Sequence, residues 1–115
     1  MLRIDAGQLW IEQGSLMLFS DFEDGGEMWA GTGERELRRV VRFSTPFHGA
    51  PVVTLGVSLW DFDHATNHRA DLQAQRVAPE GFELVFRTWK DTRVARLRVD
   101  WAAFGAVPGP DLWDL

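Results

Sequence analysis

Cysteine is missing from this 115-residue chain, which removes disulfides, thiolate zinc sites and thiol nucleophiles together and leaves the redox compartment undetermined. Hydrophobic packing has to hold the fold. Positive charge is also scarce: the formal net charge of −5 excludes a general affinity for nucleic acid or anionic lipid, because binding by counterion release needs a positive face. A local arginine cluster stays open. Long apolar runs are absent as well. The N-terminal MLRIDAGQLWIEQG has no uninterrupted apolar stretch behind a basic start, and no later window has the length of a bilayer span. Neither a Sec signal nor membrane insertion is expected, so an exterior location would need another export route, lysis or a larger particle.

Catalytic constellations are lacking too. No serine or threonine lies in an elbow such as G-x-S-x-G, and the pair Gly31-Thr32-Gly33 lacks the full dinucleotide fingerprint. His64 and His68, four residues apart, would share a face only on a helix, and read here as solvated side chains. Asp61, Asp63 and Asn67 have no glycine and no later glutamate where a calcium loop requires them. No enzyme activity, cofactor or metal is expected.

What is present is alternation. Apolar residues make up 45% and charged residues 25%, the balance of an ordinary globular domain. From Glu36 to Gly105 apolar and polar residues alternate with period two, the spacing of half-buried strands. Ala95, Leu97, Val99, Trp101 and Ala103 face one way, and Arg96, Arg98 and Asp100 the other. Phe82, Leu84 and Phe86 are predicted inward, with Glu83, Arg87 and Trp89 outward and Val85 an apolar exception. Arg69 to Gln75, Leu37 to Phe43 and Val52 to Leu59 read as further strands. Leu16 to Phe19 and Gln8 to Glu12 read as two short ones, and the glycine-rich, acidic stretch from Asp21 to Gly33 as a surface loop. The segment Ala78-Pro-Glu-Gly81 reads as a hairpin connection with Gly81 free to take positive φ. The predicted fold is an all-β sandwich in one domain: residues 1–30 a strand-and-loop segment, 31–106 the sandwich, and 107–115 a tail that docks on a neighbour or frays.

Trp89 stands out in this pattern. An outward tryptophan at a strand end, followed by Lys90-Asp91-Thr92, wants a partner. A pyranose offers a face of C–H groups to stack on the indole, and its hydroxyls suit an arginine fork such as that of outward-facing Arg69. A subunit interface would satisfy the indole equally well.

The run from Val41 to Val53 with F-x-x-P-F-x-x-x-P, then Asp61, Asn67-His-Arg69, Gly81-Phe82, Thr88-Trp-Lys-Asp-Thr92 and Trp101-Ala-Ala-Phe-Gly105, resembles the H-type lectin domain from about Arg35 to Gly105. The resemblance implies a six-stranded antiparallel β-sandwich that assembles as a homotrimer, with a further stacking to a hexamer open, and with sugar sites between neighbouring subunits. It implies a glycan partner, N-acetylgalactosamine being the best-known ligand of the family. By motif, Trp89 looks like the stacking residue, Arg69 like the arginine that reaches the sugar from a neighbouring protomer, and Lys90 like the residue that touches a hydroxyl. The remaining contacts would come from Ala30-Gly31-Thr32-Gly33-Glu34, where animal members carry an aspartate that accepts hydrogen bonds from the sugar. Thr32 stands at the matching position, with Glu34 as the replacement if the loop is shifted. The departure leaves a second reading: a structural or adhesion trimer of a surface or phage-like particle, built on the fold but without a working sugar site.

Overall fold

A computed structural model describes residues 7–22 and 24–107 together with Met1 and Arg3; the proposed C-terminal tail from residue 108 onward lies outside the described residues. Along the chain run β1 (Leu9–Ser20), α1 (Glu27–Ala30), β2 (Arg35–Arg42), β3 (Val52–Phe62), β4 (Asp71–Ala78), β5 (Gly81–Thr88) and β6 (Val94–Ala106). The strands form two antiparallel three-stranded sheets in the orders β1-β6-β3 and β2-β5-β4. This is the all-β sandwich that the alternation predicts, with the six antiparallel strands that the resemblance implies.

The two strands with the cleanest alternation occupy the two central positions, where both backbone edges are bonded and one side-chain face must be apolar. In β6, Leu97, Val99 and Ala103 are buried while Arg96 and Asp100 are exposed. In β5, Phe82, Leu84 and Phe86 are buried. The inner faces meet through aromatic rings: Phe19 lies 5.4 Å from Phe86, and Trp101 lies 5.8 Å from Phe43 and 5.6 Å from Phe82. Such tilted and edge-on contacts stabilise beyond the area they bury. Val85 sits on the outer face opposite Arg38 and Gln73 yet is 2% exposed. Around it Arg38 bonds Glu83 and Gln75, and Gln75 bonds Gln73.

Three sequence expectations need correction. The two short N-terminal strands are one strand of 12 residues, β1, paired with β6 along its length and interrupted by a bulge between Met17 and Phe19. The stretch from Asp21 to Gly33 is not all loop. It contains the single helical turn α1, whose Met28 is buried in the core and whose Met28 amide donates to Asp21 Oδ2 at 3.0 Å. Gly81 closes the β4–β5 hairpin opposite Ala78 as expected, but it is not among the residues with positive φ. Its requirement is space: a Cβ there would lie 2.2 Å from the Val41 carbonyl oxygen of the neighbouring strand. Gly81→Ala is therefore expected to destabilise the domain by about 2 kcal/mol or more, read from denaturant unfolding. An unchanged midpoint would contradict this close approach.

Four of the connections cross from one sheet to the other. Three of them, residues 21–34, 63–70 and 89–93, gather at the same end, because Ser20 pairs Arg96, Phe62 pairs Val94, and Arg35 and Asp71 pair the last residues of β5. The residues singled out by the sequence lie on these three connections.

Candidate functional site

The N-H-R and T-W-K-D-T segments are bound to each other by the side chains of the second. Thr88 Oγ1 donates to the Arg69 carbonyl at 2.5 Å, and Thr92 Oγ1 donates to the Asn67 carbonyl at 2.6 Å while accepting the Arg69 amide at 3.1 Å. Both threonines are buried, so their hydroxyls need these partners. Asp91 completes the tie by accepting the Arg69 guanidinium and the Asn67 amide. Thr88, Asp91 and Thr92 thus hold the two segments together without Trp89, and the indole is left half-buried at the surface.

The Asp91 carboxyl is held below its ordinary value. Partial loss of water pushes it up, but hydrogen bonds from Arg69 and from the Asn67 and Asp91 amides, with the nearby guanidinium charge, more than reverse that. A depressed folded value means that the pair's stabilisation is fully present above the unfolded aspartate value of about 3.9 and is lost as pH falls through the folded one. Carboxyl-carbon NMR of Asp91 is expected to titrate at a lower pH in the parent than in an Arg69→Gln variant. Equal midpoints would show that the guanidinium does not hold the carboxylate.

Beside this tie lies an open cleft of about 480 Å³ lined by Glu34, Arg35, Glu36, Arg87, Thr88 and Trp89. Its size falls within the range of small-ligand pockets, about 300–1,000 Å³. Cross-strand register builds it: Arg35 faces Thr88 and Glu36 faces Arg87 at the open end of β2 and β5. Arg87 also donates to Asp71 on β4 at 3.0 Å, and Glu36 accepts from Arg38 at 3.1 Å, so two of the charges lining the cleft are paired with residues outside it.

Of the residues predicted from sequence, the structure brings Trp89 and Glu34 together in this cleft. Lys90 is exposed next to it, with a left-handed backbone at φ 59°. Thr32 is exposed and Gly31 half-buried, and neither lines the cleft. Gly31 caps α1, its amide donating to the Glu27 carbonyl at 2.8 Å, and a Cβ there would lie 2.5 Å from that oxygen. Arg69 also stays out of the cleft of its own chain, held on Asp91. Arg35, Glu36 and Arg87 were not singled out beforehand. Arg35 carried a signal, since it shares the inward phase of β2 with Leu37 and Val41; the other two depend on register, which the sequence does not print.

The acidic groups at the end of β3 and in the loop after it hold cations of the protein's own: Asp61 pairs Arg96, and Asp63 pairs Arg93 at 3.2 Å. His64 is fully exposed, and His68 packs against Phe62 with ring centres 4.7 Å apart and the planes tilted by 46°. Among the described residues no group of three or more histidine or acidic side chains is arranged to hold a metal.

Residues 38–104 match the model of the H-type lectin domain. The chain belongs to this family. Among its relatives is "ATP synthase subunits region ORF 7" of Fuscovulum blasticum, 51% identical over all of this chain and 99% of that protein. Discoidin-2 of Dictyostelium discoideum is 33% identical over 64% of this chain and 29% of its own length. The chain thus spans well under half the length of the discoidin polypeptides it matches. The solved structure of wild-type discoidin II from the same organism superposes with a TM-score of 0.73 over 86% of this chain and 37% of that one. At 24% identity that likeness is one of fold. Family membership carries carbohydrate binding as its general character.

Proposed function

We propose that this H-type lectin domain binds glycans as a homotrimer, each sugar lying in the Trp89 cleft of one protomer and touched by Arg69 of the next. The observation that carries the reading is one open cleft lined by Trp89, Glu34 and Glu36. The indole supplies an apolar platform for a pyranose face, and the carboxylates accept hydrogen bonds from hydroxyls, the two demands a sugar makes. Glu34 takes the role that an aspartate has in animal members: both it and Thr32 are exposed, but Glu34 lines the cleft and Thr32 does not. Lys90, exposed beside the indole, suits a hydroxyl at the rim. Gly31 and Thr32 then serve the sugar through the shape of the loop that carries Glu34.

Arg69 sits outside its own cleft with Asp91 holding its fork, as suits a residue offered to a neighbour. One sugar binds weakly in such a site, on the order of millimolar, and three sites on one particle turn that into useful avidity. A second reading, a structural trimer without a sugar site, draws on the same ion pair and on Thr32 standing where the family's aspartate would be.

A glycan-array screen of the purified protein, with its mass in solution measured by light scattering, separates the two. The lectin reading expects a trimer with a defined class of bound glycans. A trimer silent across a broad array supports the structural reading, and a monomer contradicts both.

A further inference from the structure

Arg35 opens β2 in the inward phase, opposite Thr88, and is 3% exposed. A guanidinium in that position must find acceptors for its N–H groups. It finds main-chain carbonyls from three places. Nε donates to Gly33 at 3.0 Å, Nη1 to Met28 at 3.2 Å and Glu27 at 3.4 Å, and Nη2 to Lys90 at 3.3 Å. The first three lie in and after α1, on the loop that carries Glu34. The fourth lies in the turn that carries Trp89. Burial pushes the guanidinium below its ordinary value, with the charge of Glu27 working the other way.

The Lys90 carbonyl is a shared point. It accepts the Gly33 amide at 3.0 Å as well as the Arg35 fork. Gly33 has φ 76° and Lys90 has φ 59°, so both turns use the left-handed region, which a lysine occupies at a cost. Such a backbone persists where its surroundings over-determine it, and two hydrogen bonds on one carbonyl do so. Glu34 and Trp89, the two predicted ligand residues in the cleft, are each one position from a clamped residue.

We infer that Arg35 is the positioning residue of the sugar cleft: its fork ties the α1–β2 loop to the β5–β6 turn and so fixes Glu34 relative to Trp89. Its value as a ligand clamp rests on the glycan-binding reading above, whereas the tie between the two loops does not. The guanidinium is suited to this by planarity. Its donors diverge in one plane toward carbonyls of both segments, whereas a lysine ammonium offers three donors from a single point. A lysine at this position keeps the charge and loses the tie.

The test compares the parent with Arg35→Lys and Arg35→Met by hydrogen exchange and by single-site titration with a monosaccharide drawn from the array hits. In both variants the amides of residues 31–34 and 89–92 are expected to exchange at least tenfold faster together, with the centres of β5 and β6 still protected. Affinity for the monosaccharide is expected to fall at least tenfold while the unfolding transition stays cooperative. Loosening of one loop alone, or of neither, overturns the tie. Loosening of both with unchanged affinity overturns the positioning role. A parent that binds no sugar defeats the glycan reading, and the exchange result then judges the tie by itself. Should neither variant fold, the parent supplies the answer: the Arg35 Nη2–H is expected to exchange slowly and to show a coupling across its hydrogen bond to the Lys90 carbonyl, and a fast-exchanging Nη2–H without that coupling overturns the tie.

Discussion

Replacing Trp89 by alanine is expected to lower the affinity of a single site for its sugar about thirtyfold and to leave the sandwich standing. The indole lies just past β5, half-buried, and is not part of the buried aromatic cluster. Removing it takes away the stacking face but leaves Thr88, Asp91 and Thr92 to hold the turn through their own bonds. An aromatic platform in a partly dry site is worth about 2 kcal/mol, which is the thirtyfold change. On a multivalent surface the loss compounds across the sites of one particle, so array binding should vanish. Calorimetric titration with a monosaccharide, beside thermal unfolding of the same variant, reads both halves. Retained affinity would remove Trp89 from the site; a collapsed fold would move it into the core.

Phe86→Ala should have the largest effect on stability. Phe86 is 1% exposed in the middle strand β5 and packs 5.4 Å from Phe19 of the opposite sheet. Emptying that position costs about 4 kcal/mol in lost transfer energy and residual cavity. Domains of this size have about 5–15 kcal/mol to lose, so the melting temperature should fall by about 15 °C. Circular dichroism melts of parent and variant give the comparison directly. A drop of only about 2 °C would mean that the two sheets are not packed through this layer.

How much of this was legible in the sequence depends on what each element asks of its side chains. β6 could be read residue by residue because it is central and faces water on one side only. β1 could not, since Gly14 and Ser15 interrupt its apolar residues and the bulge after Met17 shifts their phase. Gly14 makes sense only against its cross-strand partner: a Cβ there would meet the Trp101 indole at 2.8 Å. The helical turn α1 is four residues long, too short for any helical period to show. Its mark in the sequence is the apolar pair Met28-Trp29 within a stretch of glycine and acid.

The candidate site divides in the same way. Trp89 stands out in the sequence as the outward end of an alternating run, but β5 ends at Thr88, so its exposure follows from its place beyond the strand rather than from alternation. Glu36 and Arg87 became part of the cleft through a pairing between strands that are distant in sequence. Arg35 lies before the strand expected from Leu37, and only its inward phase marks it; its role depends on four carbonyl partners that the sequence does not show. The threonines of T-W-K-D-T served as a family signature before their hydroxyls could be assigned the work of holding Asn67 and Arg69.

The central claim is a sugar site shared between protomers, and co-expression of two defective chains tests it most directly. Trp89→Ala and Arg69→Ala homotrimers should each bind a monosaccharide poorly. In mixed trimers, wherever intact Trp89 of one protomer meets intact Arg69 of the next, a complete site is restored, at roughly a quarter of all interfaces for random mixing. Titration of the co-expressed mixture is expected to recover that fraction of sites at parental affinity. If mixing recovers no sites, each protomer holds its own Trp89 and Arg69 to the same ligand or to none, and the shared site is wrong.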